Sequence, residues 1–164
     1  MLSKSMQDAL NNQINHEFYA SYLYLAMSAY LDDANYPGFA QWMRVQSQEE
    51  YGHAMKIFNY INDRDGKVVL KAIQQPQTEF KSPLEVFSMA LEHERKVTGM
   101  INDLYSMAMK ENDYPTQVML QWFINEQVEE EKTALGIVDQ LKMIGDSPTA
   151  MIMLDRQLGA RSKE

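Results

Sequence analysis

Early in the chain stands the stretch Gln48-Glu49-Glu50-Tyr51-Gly52-His53, which breaks an otherwise apolar helical stripe with ionisable side chains. The stripe recurs every three or four residues, the spacing of one helix face: Phe39, Met43, Gln46, Glu50, His53, Ile57 and Tyr60. Glu50 and His53 stand at positions i and i+3 and project from the same face, as a chelating pair requires. An apolar stripe is the seam of a helix bundle, so the pair predicts a polar site inside the core.

Prolines mark the ends of the helices around this stretch: Pro37, Pro76, Pro83, Pro115 and Pro148. Proline lacks an N–H group and clashes with the preceding turn, so it is excluded from helix interiors. The run Ser82-Pro83-Leu84-Glu85 is typical of a helix start, whereas Gly66 and Gly145 indicate helix stops. We therefore expect one all-α domain over residues 1–164, with helices at about 3–33, 38–65, 83–112, 115–144 and 148–159.

The lengths of the connections predict how the helices run. The first and second helices, and the third and fourth, are joined by a few residues, so each pair should form an antiparallel hairpin. Residues 66–82 join the second helix to the third and could reach about 56 Å when extended. This length favours a crossover that leaves those two helices parallel, with Val68-Val69-Leu70 and Ile73 as apolar anchors. The predicted architecture is a four-helix bundle with one long crossover and a short fifth helix.

Each long helix carries a glutamate in its apolar stripe near its midpoint: Glu17, Glu50, Glu94 and Glu130. The midpoints of four side-by-side helices meet at one level, whichever way each helix runs. Ionised carboxylates in a core are costly, and no lysine or arginine stands in the stripes at this level. Shared protons or bound cations must then compensate. Two divalent metal ions would neutralise four carboxylates, and oxygen-rich ligation with one imidazole suits iron or manganese.

Composition excludes several other classes of function. The chain has 23 acidic and 15 basic residues, a net charge of −8, which is unsuited to binding nucleic acid or an anionic membrane. It has no cysteine, which excludes disulfides, zinc knuckles, iron–sulfur clusters and thiol catalysis. No run approaches the roughly 18 apolar residues of a membrane span. The first residues contain no apolar signal region, so a cytoplasmic location is expected.

Five segments together carry a resemblance to a known family: Asn15-His16-Glu17-Phe18-Tyr19-Ala20-Ser21-Tyr22-Leu23-Tyr24, residues 48–53, Glu92-His93-Glu94, Asp113-Tyr114-Pro115-Thr116 and residues 125–132. They resemble the ferritin-like di-iron carboxylate bundles, and among these the bacterial non-haem ferritins. The resemblance covers essentially the whole chain. It implies a ferritin-like four-helix bundle that assembles into a hollow shell of twenty-four copies. It also implies a ferroxidase that oxidises Fe(II) with O₂ or H₂O₂ and stores Fe(III) as ferric oxyhydroxide.

The resemblance implies a role for each matching residue. The first iron would be held by Glu17, Glu50 and His53. The second would be held by the bridging Glu50 and by Glu94, with Gln127 near it and Tyr24 as a hydrogen-bond partner or electron donor. A third, adjacent iron would be held by Glu49, Glu126, Glu129 and Glu130.

Two differences from related families change what we expect of the metal site. The fourth helix offers Gln127-x-x-Glu130 in place of a second Glu-x-x-His motif, so the second iron should be held more loosely. Bacterioferritins carry a haem-ligating methionine directly after the bridging glutamate, where this chain has Tyr51. We therefore expect iron without haem.

Two alternative functions remain open from the sequence. A di-iron oxidase or peroxidase could act on a small substrate without storing mineral, although the chain has little extra length for a substrate channel. A purely structural bundle could keep the same carboxylates protonated and bind no metal. Particle size would separate storage from the first alternative, and metal content would test the second.

Overall fold

The computed structural model describes residues 1–162 and forms five helices over that range. They are α1 (Lys4–Asp33), α2 (Pro37–Asp63), α3 (Pro83–Lys110), α4 (Tyr114–Ile144) and α5 (Pro148–Gly159). No strand occurs among these residues, and the predicted all-α fold is confirmed. No helix in the described range is long and apolar enough to cross a bilayer.

Two residues after the end of each of the first three helices, the chain has a residue in the left-handed conformation: Asn35 (φ 64°), Asp65 (φ 55°) and Asn112 (φ 54°). After α2 the Asp65 amide donates to the Asn62 carbonyl (3.0 Å), and the Gly66 amide donates to the Ile61 carbonyl (2.9 Å). These paired bonds form a Schellman motif, in which asparagine or aspartate can replace glycine. As a result α2 ends at residue 63 rather than 65, and α3 ends at residue 110 rather than 112.

The bundle core consists of two apolar clusters, one at each end. One cluster contains the C-terminal halves of α1 and α4 and the N-terminal halves of α2 and α3. The other contains the opposite halves of the same four helices. Because α2 and α3 begin at the same end, they are parallel, and the predicted crossover is confirmed. On each of the four long helices the mid-helix glutamate falls between the residues of the two clusters, so the acidic layer divides the core.

Polar side chains of α1 hold the crossover along the flank of the bundle. Asn11 donates to the Lys67 carbonyl (2.9 Å) and accepts from the Val69 amide (2.8 Å). The predicted apolar anchor is only partly correct, because Val68 packs against the core whereas Val69, Leu70 and Ile73 remain exposed. The anchoring is therefore mainly hydrogen bonding to backbone groups, which an apolar pattern does not reveal.

The short helix α5 docks on the beginning of α2. The buried Asp155 carboxylate accepts hydrogen bonds from the backbone amides of Gly38 (3.1 Å) and Phe39 (2.9 Å). These bonds satisfy amide groups that lack an intrahelical partner at the start of a helix. A Cβ atom at Gly38 would lie 1.7 Å from the Asp155 carbonyl oxygen, so only glycine permits this approach. Helix α5 is thereby held in a defined place on α2.

Candidate metal centre

A layer of buried polar side chains separates the two apolar clusters, and all four long helices contribute to it: Glu17, Glu50, His53, Glu94, Gln127 and Glu130. The sequence predicted the four glutamates at one level, and the structure brings them together there with His53 and Gln127. Within residues 1–162, the ion pairs of these four glutamates are those of Glu17 and Glu50 with His53, and none involves a lysine or an arginine. The layer therefore has a large excess of carboxyl groups over basic groups.

The first group of candidate ligands contains Glu17, Glu50 and His53, whose ligand atoms lie within 4.8 Å of one another. His53 Nδ1 is 3.2 Å from Glu50 Oε2 and 4.0 Å from Glu17 Oε2. Glu17 Oε1 accepts from the Gln13 amide (2.7 Å), but Glu17 Oε2 is buried without a hydrogen-bond partner. An unpaired buried acceptor is unfavourable, and a cation between these three side chains would satisfy it. The geometry of this group fits a metal ion.

The second group contains Glu50, Glu94 and Glu130, again within 4.8 Å. Two neighbours orient the Glu94 carboxylate: the buried Tyr24 hydroxyl donates to its Oε1, and Gln127 Nε2 donates to its Oε2 (3.1 Å). Glu50 belongs to both groups, so it is positioned to bridge two ions.

The third group contains His53, Glu126 and Glu130, and it opens into a cavity of about 390 Å³. All four residues expected at a third iron line this cavity: Glu49, Glu126, Glu129 and Glu130. Only two of them, Glu126 and Glu130, lie in the close group. Glu129 is exposed and approaches Lys132 (3.8 Å), and Glu49 is paired with Arg161. Glu130 is shared by the second and third groups, whereas the family resemblance assigned it to the third alone.

Burial and mutual repulsion raise the pKa values of the acidic layer. Burial, followed by the charge of Glu50, raises the pKa of Glu17 well above its usual range. Burial raises the pKa of Glu50 in the same direction, with Glu94 and Glu130 adding to it. The pKa of Glu130 is raised to about 8 by burial and by the charge of Glu94. Without a cation the layer therefore retains protons at neutral pH, and binding a cation would release them.

Two ring side chains, Tyr24 and His93, support Glu94 from behind. Burial, together with the charge of Glu94, raises the pKa of Tyr24, which keeps its hydroxyl a hydrogen-bond donor. The ring of His93 packs edge-on against Tyr24, with the ring centroids 5.9 Å apart. Burial lowers the pKa of His93 to about 4, so this imidazole is neutral. His93 lies outside the three ligand groups.

Sequence reasoning assigned no role to three residues that contact the centre: Gln13, Gln46 and Arg161. Gln46 Nε2 donates to Glu50 Oε1 (3.0 Å) and to Glu130 Oε2 (2.7 Å). Gln13 and Gln46 each precede a buried glutamate by four residues, and this shared spacing could have indicated both. Arg161 follows the last helix, where no periodic pattern could have placed it beside Glu49.

The chain is similar in sequence to known proteins over most of its length. A family model described as a ferritin-like domain matches residues 7–144. The bacterial non-heme ferritin of Staphylococcus haemolyticus is 46% identical over 162 residues, which cover 99% of this chain and 98% of that protein. The one from Staphylococcus aureus (strain USA300) is 42% identical over 162 residues, with the same coverage.

Solved structures include similar chains over the full length. The open pore ferritin from the hyperthermophilic archaeon Archaeoglobus fulgidus is 48% identical and superposes with a TM-score of 0.98. The match covers 99% of this chain and 100% of that one. An engineered closed form of the same ferritin is 47% identical with a TM-score of 0.99, and both chains are covered completely.

Proposed function

The chain belongs to the ferritin family of iron-storage proteins, and on that premise we propose that its buried centre is a ferroxidase site. Fe(II) is the substrate, O₂ or H₂O₂ accepts the electrons, and Fe(III) passes into a shell of twenty-four copies as ferric oxyhydroxide. One observation carries the proposal: four buried carboxylates and an imidazole converge with no lysine or arginine paired to those carboxylates in the described range.

Each ion has a defined set of side chains in this proposal. Glu17, Glu50 and His53 hold the first Fe(II). Glu50, Glu94 and Glu130 hold the second, with Gln127 beside it. The second set lacks a histidine, so its ion is held more loosely and leaves more readily. The cavity lined by Glu49, Glu126, Glu129 and Glu130 receives a third ion.

The side chains of this centre supply charge and move protons. Glutamates with raised pKa values release protons when Fe(II) arrives, and the resulting carboxylates neutralise the two ions. Two Fe(II) ions then provide the two electrons that convert O₂ and two protons into H₂O₂, or H₂O₂ and two protons into water. Tyr24 and Gln127 hold the Glu94 carboxylate in place while the electrons and protons are transferred.

The geometry favours storage over the oxidation of an organic substrate. The lining of the cavity beside the centre includes four carboxylates and one guanidinium, that of Arg161. Its excess of negative charge attracts cations and repels an anionic molecule. A di-iron oxidase or peroxidase that acts on a small substrate remains the second candidate. Light scattering separates the two, because storage requires shell-sized particles.

The substitution Glu50→Ala tests the site because Glu50 is shared by both groups. We expect the initial rate of Fe(II) oxidation, followed by stopped-flow absorbance, to fall at least about a hundredfold. Shells should still assemble, because the change removes a buried carboxylate rather than a packing contact. Glu92→Ala is the matched control, since Glu92 is exposed on α3 and should keep the normal rate. A normal rate in Glu50→Ala would show that oxidation occurs elsewhere.

A further inference from the structure

Arg161 lies at the edge of the acidic cavity and makes three contacts with α2. Its Nη2 is 2.5 Å from Glu49 Oε2, and its Nη1 donates to Gln46 Oε1 (3.0 Å). The guanidinium also lies over the ring of Trp42, with its carbon 4.4 Å from the ring centroid. An arginine with two hydrogen bonds and a stacked face is held in one orientation.

The docking of α5 brings Arg161 to this position. Asp155 fixes α5 to the first amides of α2, and Gly159 approaches the backbone of Gly38 closely. Arg161 follows two residues later, and its amide donates to the Leu158 carbonyl (3.2 Å). The guanidinium is therefore tethered by a short, anchored segment.

Arg161 is the basic residue among the side chains that line this cavity in residues 1–162. Its partner Glu49 is one of the carboxylates expected to bind the third ion. A guanidinium bonded to Glu49 Oε2 occupies an oxygen that a cation would need, and its positive charge repels that cation. Arg161 and an ion in the cavity consequently compete for the same carboxylate.

We propose that Arg161 is a tethered counter-ion, which occupies the position of the third ion until an incoming cation displaces it from Glu49. This inference rests on the proposed function of the cavity and adds the residue that weakens its affinity. Gln46 connects Arg161 to the two buried ion positions. Arg161 donates to the Gln46 amide oxygen, while Gln46 Nε2 donates to Glu50 and Glu130. Displacing Arg161 frees Gln46 to turn away from those carboxylates.

Calorimetric titration of iron-free shells with Zn²⁺, which does not change oxidation state, tests the proposal. In the native protein we expect two tighter ions per chain and a weaker third. Arg161→Gln should tighten the third by about tenfold, because the competing charge is removed. Arg161→Lys, which keeps the charge but loses the paired bonds, should fall between the two. Arg156→Gln is the matched control, since Arg156 is exposed on α5.

A second comparison identifies the carboxylate involved. In a Glu49→Gln background, Arg161→Gln should change the third affinity little, because the shared partner is already absent. In crystals loaded with Zn²⁺, the guanidinium should no longer be within hydrogen-bond distance of Glu49. An unchanged or weaker third affinity in Arg161→Gln would overturn the proposal. Absence of Zn²⁺ from the two buried positions that share Glu50 in the native protein would instead contradict the proposed function.

Discussion

Replacing Glu130 with glutamine should stabilise the metal-free protein, although it removes a candidate ligand. Glu130 is only 8% exposed, and burial together with the charge of Glu94 raises its pKa to about 8. The ordinary pKa of glutamate in an unfolded chain is about 4.3. Between these two values the unfolded chain has lost the proton that the folded chain retains. Stability is therefore fully present below about pH 4.3 and declines as the pH rises towards 8.

The size of the effect follows from the two pKa values. Each pH unit between them costs the folded state about 1.4 kcal/mol, so the cost at pH 7 is about 4 kcal/mol. Neighbouring carboxyl groups share the same protons, which makes this figure an upper value. Glutamine has almost the same shape and does not ionise, so Glu130→Gln avoids the cost. Its amide oxygen can still accept the hydrogen bond that Gln46 donates to residue 130 (2.7 Å).

Thermal unfolding of chelator-treated shells between pH 5 and 8.5 measures this difference. The midpoints of the native protein and of Glu130→Gln should be close at pH 5 and diverge as the pH rises, with the variant higher. Glu129→Gln is the control, because that side chain is exposed, and its midpoints should follow the native protein. With added Zn²⁺ the native protein should have the higher midpoint, since the ion stabilises the native carboxylates more than the variant's glutamine. A variant less stable than the native protein at pH 8 without metal would refute the reasoning.

Three further predictions concern residues around the centre and the fold. Tyr24→Phe removes the hydrogen bond to Glu94, so Fe(II) oxidation in stopped flow should slow several-fold while the number of bound Fe(II) ions stays the same; an unchanged rate would count against the role of Tyr24. Asp155→Ala removes two bonds to the start of α2 and should cost about 1–2 kcal/mol, seen as a lower unfolding midpoint, and an unchanged midpoint would contradict this. Asn11→Ala should speed proteolytic cleavage within residues 64–82, and equal cleavage rates would show that other contacts hold the crossover.

Patterns that depend on local spacing predicted the fold well. Proline positions and apolar stripes determine where helices can form, and the length of the crossover determines which helices are parallel. The ends of α2 and α3 were misplaced because asparagine and aspartate take the left-handed conformation there, a choice made by local hydrogen bonds. The polar anchor of the crossover was missed because Asn11, taken alone, looks like a solvent-exposed residue on α1.

The candidate centre was predictable where side chains belong to helical stripes. Glu17, Glu50, Glu94 and Glu130 fall at one level because a helix rises by a constant distance per residue. Arg161 could not be placed in the same way, since its position depends on the docking of α5 on α2. The double use of Glu130 likewise depends on where the packing of the bundle places its carboxylate, which no spacing in the sequence encodes.

Anaerobic loading of crystals with Fe(II), followed by anomalous scattering at the iron edge, tests the central claim most directly. The buried carboxylate layer should bind two ions that share Glu50, one beside His53 and one beside Glu94. At higher loading a third ion should appear beside Glu126 and Glu130, with Arg161 displaced. Iron bound only at exposed acids, with the layer between the two apolar clusters left empty, would contradict the account.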